Sequence, residues 1–342
     1  MTPSLFRAFL LWGVNIFNAL QAASQVTPGD FPVVINSTFP LKLAVNPLCG
    51  QLSSQNFTEI NTGIIPLSAT RTIVAFGDSW TSNGANGTVP VPPIMWPPSP
   101  SAGSRVNQNR RASNGFIWVE DWANMASAKL LNYAWGGAVI DNFAWNTTSP
   151  NNKTSVPRTD FVAEANLFFL QGKFLDSLVP SQTVYTVAFG INDEGQFELA
   201  GGDWNRAYNT YVRSWISDHF GPHRMLKQSS LFQVTKLGEL QAFGAKNILI
   251  HGMYKSHPNT DILQNRVFAY LKESKAVNGT EFAFVNLETL FTAIADNPAA
   301  FGYRGNPTCL VSANTIVGGC NDPDHSVFWI RKLAYRLAVA LD

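Results

Sequence analysis

The sequence predicts an α/β fold, a parallel sheet with helices on both faces, and three observations lead there. Short β-prone runs recur along the chain: Ile73-Val74-Ala75-Phe76, Thr183 to Phe189, Asn247 to His251 and Glu281 to Val285. Stretches with apolar residues at helical spacing lie between them. The first run is continuously apolar, as suits a strand covered on both faces, rather than alternating like one that faces water. Strands alternating with helices build right-handed crossovers and hence a parallel sheet.

Taken in order, the chain begins with Arg7 before the apolar run Ala8 to Phe17, then small residues at Ala19, Ala22, Ala23 and Ser24. That is the pattern of a signal peptide, expected over residues 1–24. The run is too short to span a bilayer comfortably, and Asn15 and Asn18 interrupt it. Residues 25–70 are rich in Pro, Asn, Ser and Thr, with short apolar runs such as Leu41 to Val45, and read as an irregular N-terminal extension. Residues 71–342 read as one domain. Its first strand stops at Gly77-Asp78-Ser79, and the proline-rich stretch from Thr88 to Pro100 then forms a long loop with Trp96 as an aromatic contact.

A helix is expected from Phe116 to Leu130 with Ser113-Asn114 as cap, then a short strand from Leu131 to Trp135 that stops at Gly136-Gly137. A helix over Asp160 to Leu178 precedes the strand Thr183 to Phe189, which ends at Gly190-Ile191-Asn192-Asp193. Helical pattern from Met225 to Phe243, capped by Gly244, leads into the strand Asn247 to His251. A helix from Asp261 to Val277 and a strand from Glu281 to Val285 follow.

Composition narrows the functional classes. With 45% hydrophobic and 14% charged residues over 342 positions, the chain has the material for a large core. Lys+Arg 24 against Asp+Glu 23 leaves a net charge of +1, which offers no electrostatic case for nucleic acid or an anionic membrane surface. A neutral small molecule or carbohydrate suits it better as partner, and a monomer is expected. Acceptor motifs at Asn36, Asn56, Asn86, Asn146, Asn152 and Asn278 are dense enough to suggest a glycosylated extracellular protein. Of the three cysteines, Cys309 and Cys320 are close enough to close a small disulfide loop, leaving Cys49 without an obvious mate. The five histidines are scattered, so no metal and no other cofactor is expected.

In open parallel sheets the site lies at the carboxyl ends of the strands, and three strands end there in Ser79, Gly137 and Asn192. Acyl transfer by serine needs a nucleophile, a base, and donors aimed at the oxygen that becomes negative. Ser79 is the candidate nucleophile. The N–H groups of Ser79 and Gly137 and the Asn192 amide are candidate oxyanion donors, one such donor being worth roughly 3–4 kcal/mol. Each has a plainer reading, as turn, packing glycine and helix cap; their convergence carries the signal.

Phe76-Gly77-Asp78-Ser79, Asn132-Tyr133-Ala134-Trp135-Gly136-Gly137-Ala138 and Gly190-Ile191-Asn192-Asp193 resemble the first three blocks of the GDSL/SGNH hydrolases. The similarity runs from about Thr72 to the C-terminus and is nearest the secreted fungal, acetylesterase-like branch acting on plant polysaccharides. It implies a flavodoxin-like three-layer sandwich with a central sheet of about five parallel strands. Ser79 is then the nucleophile, with Gly137, or Gly136 if the block is displaced by one, and Asn192 as oxyanion donors.

The family's last block is Asp-x-x-His, histidine serving as general base. Cys320 to Trp329 resembles the segment before that block, and Ile330 to Tyr335 the helix after it, as if about ten residues were absent. Asp322 and His325 have the required spacing and form the candidate dyad, with His251 as a more distant substitute. The alternatives are a secreted ester hydrolase cleaving acetyl or other short acyl groups, and a secreted binding protein of the same fold, or a truncated chain, lacking the dyad.

Overall fold

The computed structural model describes residues 32–33, 41–42, 44–45, 50–55, 57–84, 111–113, 116–146, 159–171, 177–212, 236–254, 257–304, 308–310 and 325–330. The signal-peptide segment, the proline-rich loop with Trp96, Cys49, Cys320 and Asp322 lie outside these residues. Two short strands, β1 (Pro32–Val33) and β2 (Leu41–Lys42), pair antiparallel with each other. The central sheet is built from β3 (Ile60–Asn61), β4 (Thr72–Gly77), β5 (Lys129–Asn132), β6 (Thr183–Ala188), β7 (Asn247–His251) and β8 (Glu281–Val285).

Across the sheet the order is β3-β8-β7-β6-β4-β5, and the last five strands are mutually parallel. Numbered along the chain, those five lie in the order 2-1-3-4-5, one of the two common doubly wound arrangements. The sheet has six strands rather than the expected five. The sixth comes from the segment read as irregular: β3 runs antiparallel along β8, with Ile60 opposite Phe284. Thr62 extends the pairing, its hydroxyl accepting from Phe282 N at 2.8 Å and its N–H donating to Phe282 O at 2.8 Å. This covers an edge that β8 would otherwise leave open. Two residues are too few to leave a periodic signature in sequence.

Seven α-helices flank the sheet among the described residues: α1 (Trp118–Ala126), α2 (Phe161–Phe169), α3 (Ile191–Ala200), α4 (Trp204–Tyr211), α5 (Lys236–Phe243), α6 (Pro258–Asn278) and α7 (Leu287–Asp296). Several bounds differ from the sequence expectation. α1 stops at Ser127, which takes the left-handed conformation at φ 50° and turns the chain into β5. β5 accordingly starts and ends earlier than expected. Tyr133 N and Trp135 N still bond to Ala75 O and Gly77 O at 2.8 and 2.9 Å, so the chain stays alongside β4 to its end. α6 begins before Asp261 because Pro258 suits the first turn and His257 caps it. Among the described residues, no helix is long and apolar enough to cross a membrane.

Strand alternation divides the core into two layers. Ile73, Ala75, Val184, Leu249, Ala283 and Val285 face α1 and α7, meeting Trp118, Trp122, Leu290 and Phe291. Val74, Phe76, Tyr185, Val187, Ile248, Ile250, Phe282 and Phe284 face the other way, onto Phe161, Phe168, Tyr208, Leu240 and Phe268. Both faces are therefore dry, which explains the uninterrupted apolar runs. Beyond the sheet, β9 (Thr308–Leu310) and β10 (Phe328–Ile330) pair parallel, and Cys309 is disulfide-bonded. Ile330 thus ends a strand, where the resemblance places the start of a helix; residues 331–342 lie outside the described residues. Phe328 stacks on Phe291 of α7 at 6.0 Å.

Phe76 is fully buried, with the rings of Tyr133, Phe161 and Phe168 at 5.5, 5.6 and 5.8 Å. Phe76→Ala is expected to lower unfolding stability by about 3–5 kcal/mol, measured by urea denaturation.

Candidate active site

Three loops meet at the carboxyl edge of the sheet, at the point where strand order reverses between β4 and β6. The first follows β4. Gly77 pairs with Ala188 of β6, and a Cβ at Gly77 would meet the Ala188 carbonyl oxygen at 2.9 Å, so only glycine lets the two strand ends run this close. The chain then folds into a tight turn. The Asp78 carbonyl accepts from Thr81 N at 3.0 Å and Ser82 N at 2.9 Å, and Asp78 Oδ1 accepts from Trp80 N at 3.0 Å. Ser79 stands half-buried on this turn between buried Asp78 and Trp80.

The second loop follows β5. Ala138 N donates to Trp135 O at 3.0 Å across Gly136 and Gly137, and Gly137 has φ +84°. A positive φ at the third residue of a four-residue turn is a glycine position. Gly136 is exposed, with nothing within 4 Å of where a Cβ would stand. The third loop leads from β6 into α3, whose first turn carries Asn192. Asn192 Nδ2 donates to Ala138 O at 2.9 Å, so one amide hydrogen ties the second and third loops together and the other remains to the side chain. Ser79, Gly137 and Asn192 therefore belong to three adjoining loops of one edge.

The histidines are placed differently. His325 is buried at 1% exposure, its carbonyl accepting from Arg304 N at 3.0 Å. Two residues on, Val327 packs in the same layer as Trp80. Among the described residues, no side chain is hydrogen-bonded to the Ser79 hydroxyl. His251 closes β7, half-buried, its ring 4.4 Å from that of Trp118 and its Nε2 3.1 Å from Thr186 Oγ1. Burial pushes its pKa down to about 3, so it is a neutral imidazole.

Sequence reasoning overlooked the carboxylates beneath these loops. Glu164 of α2 accepts from Gly77 N at 2.9 Å and from Trp135 N at 3.1 Å, the latter N–H being shared with Gly77 O. Its signal was the one charged residue of the mostly apolar helix Phe161–Phe169. Asp193 Oδ1 accepts from Ile140 N at 2.9 Å and from Trp145 Nε1 at 3.1 Å, holding α3 to the chain after Gly137. Its Oδ2 is buried with no hydrogen-bond partner among the described residues.

A group of close cation donors is Glu194, Glu198 and His257, within 4.8 Å of one another. His257 Nδ1 accepts from Asn259 N at 3.3 Å in the α6 cap.

Burial raises Asp78 and Asp193 to about 7 and Glu164 well above the ordinary carboxylate range, the Asp78 charge adding to the last two. A folded-state pKa above the unfolded one contributes stability below the unfolded value, near 4, that is lost as pH rises through the folded one. Thermal midpoints measured from pH 4 to pH 8 should therefore fall across pH 4–7 from this source. In Asp193→Asn that fall should be shallower than in the wild type; equal slopes would contradict the assignment.

No protein-family model and no curated protein matches the chain. Among solved structures it is similar to a gut microbial diltiazem-metabolizing enzyme, at 18% identity and a TM-score of 0.28 over 79% of this chain and 46% of that one. The chain thus spans less than half of that enzyme's length, and a likeness at this level carries no argument about activity.

Proposed function

We propose that the chain is a secreted serine ester hydrolase of the SGNH/GDSL type, cleaving acetyl or other short acyl esters, including those on plant polysaccharide, without metal or organic cofactor. One observation carries the reading: the Asn192 amide bonds to the turn that contains Gly137, beside the half-buried Ser79 turn. Ser79 Oγ attacks the ester carbonyl, and its proton passes to His325, which Asp322 orients. Negative charge on the carbonyl oxygen is met by the N–H groups of Ser79 and Gly137 and the second N–H of Asn192. The proton then goes to the leaving alcohol, and water releases the acid from the acyl-enzyme by the same route in reverse.

A second reading is a secreted binding protein of the same fold without a working base. It is favoured by the absence, among the described residues, of any side chain bonded to the Ser79 hydroxyl. Hydrogen bonds of catalytic groups often tighten only once substrate is bound, so the two readings need a chemical test.

With a fluorophosphonate probe and p-nitrophenyl acetate, the hydrolase reading expects labelling and turnover that Ser79→Ala abolishes. Asn192→Ala should lower kcat by about 10²–10³-fold. His325→Ala should abolish turnover if His325 is the base. A wild-type chain that neither labels nor turns over overturns the hydrolase reading.

A further inference from the structure

The two neighbours of Ser79 in sequence, Asp78 and Trp80, both line a cavity of about 40 Å³. Ala188, Phe189 and Ile191, which lead up to Asn192, line it as well, so the loops of the nucleophile and of the amide donor open onto one space. Its remaining described walls come from Trp118 of α1, Leu287 of α7 and the segment His251 to Tyr254 after β7. They are stiffly packed: Trp80 stacks on Tyr254 at 5.4 Å and lies 5.4 Å from Phe291. Met253 is 4% exposed and sits against the turn before Asn192, where a Cβ on Gly190 would stand 2.6 Å from its sulfur.

Ligand class follows from the lining. No lysine or arginine lines the cavity among the described residues, and an anion would meet Asp78. Apolar side chains dominate, with one polar corner next to Ser79: Thr81 is fully buried and its hydroxyl has no hydrogen-bond partner among the described residues. His251 adds a neutral imidazole. The space is small, so it suits a short group rather than a long chain.

We infer that this cavity is the acyl-chain subsite, that it takes a short neutral acyl group, and that Met253 sets the length limit. The inference rests on Ser79 being the nucleophile. The carbonyl of an acyl group bonded to Ser79 stays at the loop amides, and its methylenes enter between Asp78 and Trp80 and run along Trp118, Met253 and Leu287.

The test is the chain-length profile of kcat/KM on p-nitrophenyl acetate, butyrate and hexanoate. In the wild type it should fall about tenfold or more from butyrate to hexanoate. Met253→Ala should raise the hexanoate-to-butyrate ratio about tenfold, the scale of one to two buried methylenes. Leu287→Phe, which removes space, should lower butyrate relative to acetate, and thermal midpoints show that both variants are folded. Unchanged ratios in folded variants whose Ser79 still labels would overturn the subsite and leave the hydrolase reading standing. Should the wild type turn over no ester, saturation-transfer NMR with butyramide separates the two ideas. A signal in Ser79→Ala that is lost in Met253→Trp supports an acyl-binding cavity, and no signal overturns it.

Discussion

Much of the candidate site hangs on one side chain, the Glu164 carboxylate at the base of the loops. Where β4 ends, Gly77 N faces a dry interior, and Trp135 N bonds to the last carbonyl of the strand, Gly77 O. Glu164 accepts from Gly77 N at 2.9 Å and from Trp135 N at 3.1 Å, so a single acid finishes both strand ends and joins them to α2. Without Glu164 the Gly77 N–H would be buried and unpaired, which costs more than a typical hydrogen bond returns. The Ser79 turn begins one residue after Gly77, and the glycine turn begins at Trp135 itself. Their relation in space is inherited from this shared acceptor.

The same loops carry an electrostatic signature. Desolvation raises Asp78 and Asp193 to about 7, while it lowers His251 to about 3. Opposite shifts have one cause, since burial disfavours the charged form of acids and bases alike. Between these values the lining of the cavity carries little charge, which matches a neutral ligand better than an ionic one. Asp193 reinforces the second loop from α3 through Ile140 N and Trp145 Nε1, as Asn192 does through Ala138 O. Consecutive residues of one helical turn thus hold one loop at several points.

The strands were legible because both of their faces are dry. Thr183–Ala188 and Asn247–His251 announce themselves as β-branched and aromatic runs, and their helices cover both faces. Three of the features that follow strand ends were legible too, since Gly77, Gly137 and Asn192 each stop such a run. β3 was not legible: two residues have no period, and Ile60–Asn61 is a strand only because β8 offers it an edge. Glu164 was visible as an acid among apolar residues, but nothing in its helix says that its carboxylate reaches two backbone N–H groups on other elements. Helix α3 begins directly after Gly190, with Asn192 in its first turn rather than as its cap, and its amphipathic pattern is weak because the polar residues Asp193, Glu194 and Gln196 are among its buried ones.

By itself the sequence determined the alternation of strands and helices, the apolar two-faced sheet and the residue types at three strand ends. Those are local properties, set by propensity, periodicity and glycine placement. Tertiary structure decided the strand order 2-1-3-4-5, which brings the ends of β4 and β6 side by side, and the cavity that opens between them. It also decided that Asn192 lies against Ala138, fifty-four positions away in the chain. Such contacts depend on which crossover packs where and on what a buried polar group finds within reach, and neither is written in any short stretch of residues.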